Sequence, residues 1–281
     1  MPHPGGQPAG QIGGQPGAPT LDRLTTDLAE QGRRVQGIVE AAFAALFARD
    51  ADAARRAIAL DDPIDAADVR IEQGVVGLLT QATRAGASID ERALRWLITV
   101  AKVNNELERI ADCGVDVAEL CEATCPGSNG PNGHGAPPMP GPVPGPAHGM
   151  LPAAGSIPDT FRVMANSVIG LVRDACLSVD RRDPALARVV LQSQHAVWAF
   201  KQAILREAER GVATGMLGVD FAFNLHEIAS QCEIIADHCT NIAEQVIYVT
   251  TGAIVRHEAS RWVEVPGGPG GGGGPEGPGP R

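Results

Sequence analysis

The sequence predicts an all-α fold of two tandem, similar three-helix bundles, joined by a Gly/Pro-rich linker and flanked by Gly/Pro-rich tails. Three observations predict it. The first is duplication: at an offset of about 125 positions Glu108 pairs with Glu233, Ile110 with Ile235, Ala111 with Ala236, Asp112 with Asp237, Ala118 with Ala243 and Glu119 with Glu244, a repeat of one supersecondary unit. The second is a shared apolar stripe. Trp96, Val100, Val103, Leu107, Ile110, Gly114, Val117 and Cys121 recur at steps of three and four, and so do Leu225, Ile228, Cys232, Ile235, Cys239, Ile242, Val246 and Val249, the spacing of one helix face. The third is composition. Hydrophobic residues make up 44% of the chain but aromatics only 4%, which suits interdigitating helices, and no sustained period-two alternation marks a strand.

The elements follow in order. Residues 1–20 are largely Gly, Pro and Gln, too poor in apolar side chains to offset the entropy of ordering, and read as a disordered tail. Leu24, Leu28, Val35, Ile38, Ala42, Ala45 and Leu46 describe a first helix from Leu21 to about Arg49, after which Asp50 and Asp52 offer caps. A second helical stretch, from about Ala53 to Arg84, carries Ile58, Ile64, Val69, Ile71, Val75, Val76, Leu78 and Leu79 and is interrupted at Pro63. Gly86 breaks it, and Ser88 or Asp90 can cap the third helix, which runs to about Glu122. These make a first bundle over 21–122. The stretch 123–157, with nine prolines between 125 and 157, reads as a flexible linker. A fourth helix starts near Pro158-Asp159 and continues through Phe161, Met164, Val168, Leu171, Val172 and Ala175. Asp183-Pro184 opens a fifth helix to about Arg210, and the sixth ends near Gly252. The second bundle spans 158–257 and a disordered tail 258–281.

A net charge of −10 and a pI near 5.2 argue against nucleic acid, whose binders concentrate Lys and Arg on the phosphates. The six cysteines contain no Cys-x-x-Cys and read as small buried hydrophobes. No signal-peptide order and no apolar run of about 20 residues occurs, so a cytoplasmic protein without a membrane span is expected.

The chemistry rests on carboxylates. Glu108 and Asp112, and again Glu233 and Asp237, sit four residues apart on a helix beside the buried stripe, with Cβ atoms roughly 6 Å apart. Asp61 and Asp65 repeat the spacing on the second helix, with Glu72 two turns on. If the second and third helices pack side by side, Asp61, Asp65, Glu108 and Asp112 converge, and so many like charges call for a hard cation such as Mg²⁺, Mn²⁺, Ca²⁺ or iron. A competing reading has Asp61 or Asp62 simply capping a helix restarted at Pro63. The second half has no matching acidic pair: its Gln194-His195-Ala196-Val197-Trp198 offers one titratable group. His226, His238 and His257 are alternative ligands there, and Arg109 suits a salt bridge as well as anion binding. Without a Glu-x-x-His, a nucleophile elbow, a Walker loop or a His-Glu-x-x-His, a carboxylate-bridged metalloenzyme of helical-bundle type is the lesser alternative, and no catalytic residue is expected.

Leu107-Glu108-Arg109-Ile110-Ala111-Asp112, then Ala236-Asp237-His238-Cys239-Thr240-Asn241-Ile242-Ala243-Glu244, and the closing Val246-Ile247-Tyr248-Val249-Thr250-Thr251-Gly252 with Val255-Arg256-His257 resemble the PhoU family of phosphate-transport regulators. The resemblance implies two three-helix bundles and metal held by paired acids on the second and third helices of each bundle, here Asp61, Asp65, Glu72, Glu108 and Asp112 in the first and Glu233 and Asp237 in the second, with iron, manganese, magnesium or zinc as the ion. It also implies a homodimer. The expected role is a non-enzymatic adaptor between the ATPase subunit of a phosphate ABC transporter and a phosphate-sensing histidine kinase, repressing phosphate uptake and the starvation response. Ala111 and Ala236 stand where the family usually has glycine, Cys113 where it often has histidine, and the acidic pair of the fifth helix is missing.

Overall fold

Burial follows the apolar spacing helix by helix. The computed structural model describes residues 20–124, 157–258 and 261–265; the expected N-terminal tail, most of the expected linker and most of the expected C-terminal tail lie outside the described residues. Helix α1 (Leu21–Ala48) starts where the Arg23 N–H donates to the Thr20 hydroxyl at 3.2 Å and ends on Arg49, whose left-handed backbone returns its N–H to the last turn. Its stripe from Leu24 to Leu46 is buried. The second stretch divides differently from the sequence expectation. Helix α2 (Ala51–Ile58) is capped by Asp50, and α3 (Asp61–Arg84) begins afresh after Ala59-Leu60. Pro63 therefore lies inside the first turn of α3, where its missing N–H has no partner to lose, rather than at the break. Val69 and Val76, half-exposed, fall on the side of α3 opposite its buried Ile64, Ile71, Val75 and Leu78.

Helix α4 (Glu91–Thr124) opens with Asp90 accepting the Ala93 N–H at 2.7 Å. In the second half α5 (Asp159–Arg181), α6 (Pro184–Ala213) and α7 (Val219–Thr251) repeat the arrangement. Asp183 caps α6 with Pro184 in its first turn, and α7 stops on Gly252 at φ 75°. Beyond it lies a feature that the sequence did not suggest: an antiparallel hairpin of β1 (Ile254–Glu258) and β2 (Arg261–Val265), with Ile254 opposite Val265 and Arg256 opposite Val263. Its strands are five residues long, and backbone pairing holds them where side-chain alternation is too short to read. Part of the expected disordered tail is thus ordered strand.

The halves share one continuous core from Leu24 to Val255. Helices α4 and α7 run antiparallel across the middle, and α1 crosses α5 so closely that a Cβ on Gly32 would lie 3.1 Å from the Cys176 sulfur. At the α4–α7 seam Asn241 donates to Glu106 at 3.0 Å and Gln231 to Asp116 at 2.9 Å. In the repeat Glu106 corresponds to Gln231 and Asp116 to Asn241, so these two contacts are one contact seen twice across an internal two-fold. Among the described residues no helix is long and apolar enough to cross a membrane.

Candidate functional site

Helix α3 presents acids along the side that packs on α4, because Asp61, Asp65, Asp68 and Glu72 follow at steps of four, three and four. Helix α4 answers with Glu108 and Asp112. Burial and mutual repulsion act together on this group. Desolvation pushes the carboxyls of Asp61, Asp68, Glu108 and Asp112 above their ordinary range, and neighbouring acids push further: Asp65 and Asp112 on Asp61, Glu72 on Asp68, Asp112 on Glu108, and Asp65 on Asp112. Arg109 opposes this on Glu108 and Asp112, and His238 does so on Asp112. The capping reading of Asp61 fails, for no side chain caps α3. Its Oδ1 is instead buried without a hydrogen-bond partner.

Asn104 deepens the same groove. Buried at 2% exposure, it donates to the Asp68 carboxylate at 2.7 Å and to the Asp68 carbonyl at 3.1 Å, leaving its own Oδ1 without a partner. Asp68 and Asn104 escaped the sequence reading, although the four-three-four run of acids was the signal for Asp68. An all-oxygen donor set with two orphaned, buried oxygens fits a hard cation. It is an open row, however: among the described residues no three His, Cys, Asp or Glu side chains close to a common ligand position. Glu72 extends that row past Asp68 and also lines a trough with Val76 on the outer side of α3.

The second half is built otherwise. Glu233 is bound by the Lys201 ammonium at 2.5 Å, and Gln194 donates to Asp237. Both partners come from α6. With only 13% of its side chain exposed, Lys201 places a positive charge beside Glu233, so Glu233 and Asp237 do not fit a metal ion as they stand. Gln194 and Lys201 lie two turns apart on one face of α6, a spacing that the sequence reading did not use.

His238 does not join Glu233 and Asp237 as a ligand. It turns across the seam to Glu106 at 2.7 Å, and because a carboxylate only accepts, its Nδ1 carries the hydrogen. Burial alone would raise the Glu106 carboxyl, yet the bonds from His238 and Asn241 hold it below its ordinary value. Cys113 occupies the position in α4 that His238 holds in α7. His226 is exposed beside Phe223, and His257 lies in β1. Four of the five described cysteines are buried, all five are free thiols, and burial pushes Cys113 and Cys176 up to about 12, which makes them poor nucleophiles.

A duplicated three-helix unit with an acidic motif in each final helix, fused through a two-fold seam, defines a class of helical repeat proteins. The chain belongs to the PhoU domain family, which it matches over residues 28–121 and 161–246. It is similar to the "phosphate-specific transport system accessory protein PhoU homolog" of Xylella fastidiosa strain 9a5c, at 27% identity over 83% of this chain and 85% of that protein. The homologue of the same description from Pseudomonas aeruginosa is 27% identical over 84% of this chain and 86% of its own length. Among solved structures, PhoU from P. aeruginosa superposes with a TM-score of 0.67 at 25% identity, covering 83% of this chain and 97% of that one. The phosphate transport system regulatory protein PhoU from Streptococcus pneumoniae gives the same TM-score at 18% identity, over 84% and 97%.

Proposed function

We propose that this protein is an accessory regulator of phosphate transport that works by contact rather than by turnover. The observation that carries the reading is the match of both repeats to the PhoU domain, on a fold shared nearly end to end with PhoU structures. The two repeats account for nearly all the described helices, and output passes through their long outer faces. Its partners are the ATPase subunit of a phosphate-importing ABC transporter and a phosphate-sensing histidine kinase in the cytoplasm, and its effect is to switch phosphate uptake off when phosphate is plentiful. A homodimer is the working assembly.

A divalent or trivalent cation, held by Asp61, Asp65, Asp68, Glu108 and Asp112, would neutralise the α3–α4 row and bias which partner binds. The second half contributes no equal site, because Lys201 already meets Glu233. Deletion of the gene is expected to leave phosphate-uptake genes on in phosphate-rich medium, once any second family member is also deleted. Normal shut-off in that strain would sink the regulatory role. Replacing Glu108 and Asp112 together with alanine is expected to remove most bound metal from purified protein; unchanged metal content, or loss only on replacing Glu233 and Asp237, would refute the assignment.

A further inference from the structure

One cavity among the described residues runs against the chain's net negative charge. Where the start of α4 meets the ends of α5 and α7, a cavity of about 510 Å³ is lined by Arg92, Arg95 and Arg182, with Glu91 as the one carboxylate among its lining residues. Three guanidinium groups against one carboxylate make this end of a −10 protein locally positive. Like charges gathered in one cavity repel unless an anion joins them.

Two of the three are held in place by ring faces. The Arg182 guanidinium lies 4.1 Å from the centre of the Trp96 ring and Arg95 lies 5.6 Å from that of Tyr248. Trp96 is itself fixed, buried at 3% exposure with its indole N–H on the Thr25 hydroxyl at 2.9 Å. Stacking occupies the flat face of a guanidinium and leaves its planar fork of N–H donors free, the arrangement suited to a phosphate-type oxyanion. Arg95 also meets Glu91, but that carboxylate is 65% exposed and is a weak, solvated partner. The hydroxyls of Thr250 and Thr251 donate to their own helix at 2.7 and 2.8 Å, so recognition falls to the arginines.

The internal repeat supplies a control. At the opposite end of the molecule, Leu217, Asp220 and Phe221 stand where Arg92, Arg95 and Trp96 stand here. A buried aromatic stands at both ends, and Arg182 is matched by Arg49, the left-handed cap that closes α1 as Arg182 closes α5, so it is Arg92 and Arg95 that the other end lacks. We propose that the cavity at the junction of α4, α5 and α7 is a binding site for a small tetrahedral oxyanion, held by Arg92, Arg95 and Arg182. The choice of free inorganic phosphate within that class rests on the regulatory role proposed above.

Calorimetric titration of inorganic phosphate into the full chain near neutral pH is expected to show saturable binding. The Arg95→Gln/Arg182→Gln protein should bind at least about tenfold more weakly while keeping its helical circular dichroism. Arg182→Gln alone, at an exposed helix end, should also weaken binding, and Arg84→Gln should leave it unchanged. Absence of saturable binding, or equal binding by the double variant, overturns the site. Sulfate binding as tightly as phosphate overturns the phosphate assignment. Arginine-dependent sedimentation with phosphatidylglycerol vesicles, without binding of the free anion, places the ligand in a membrane and overturns the proposal too. Loss of gene regulation in the deletion strain tests the role separately, so either can fail alone.

Discussion

Asp112 shows how a single side chain can oppose the stability of its own fold. Its carboxyl is raised by burial first and by Asp65 next, and it also sits one helical turn from Glu108. The folded state therefore binds its proton more tightly than the unfolded chain does, so stability is gained as pH falls through the raised value and the cost is complete at neutral pH. Asp112→Asn is expected to stabilise the metal-free protein by about 0.3–0.5 kcal/mol at neutral pH, from the relieved i,i+4 repulsion. The gain should shrink as pH falls through the raised value, where the native carboxyl is itself protonated; urea melts at several pH values would measure it, and a flat or inverted profile would remove the repulsion argument. Lys201 is the opposite case. Lys201→Gln leaves Glu233 half-buried without its cation, which is expected to cost roughly 1–2 kcal/mol. Part of that loss should return on adding Mn²⁺ to the variant and not to the native protein. Of these residues the sequence revealed the acids and their spacing, but not Lys201, because a lysine on an amphipathic helix is ordinary until its partner's position is known.

At the scale of elements, the two motif helices are the best predicted and the most consequential. All eight stripe positions of α4, and all but Val249 in α7, are buried, since a regular 3.6-residue pattern is what burial on one helix face demands. The sequence could not show that these helices face each other. The Glu106–His238–Asn241 contact has no local signature, as Glu106 lies more than 130 positions from both its partners. Glu106 is held below its ordinary value, so its contribution is present above the unfolded value and is lost as pH falls through the lower folded one. Glu106→Gln keeps the shape but removes the charge-assisted bonds and is expected to destabilise by about 1–2 kcal/mol. Denaturant melts at neutral pH would show it, and an unchanged midpoint would mean that the seam is held by its apolar residues alone. The break between α2 and α3, and the hairpin after Gly252, were hidden for a related reason. One is a two-residue turn inside a helical composition, and the other depends on strand partners rather than on period.

The whole molecule behaves as two copies of one unit that have come to share an interior. A subunit in a symmetric dimer cannot change one of its two sites alone, since both are written by the same codons. Two copies within a single chain escape that restriction. The contact that appears twice across the α4–α7 seam still shows the older symmetry, while Lys201 facing Glu233, with an acidic row facing Glu108, shows what the freedom allowed. One half sets an ammonium against its motif glutamate as a largely buried internal ion pair. The other keeps its row of like charges, so equivalent places in one chain carry different electrostatic balance.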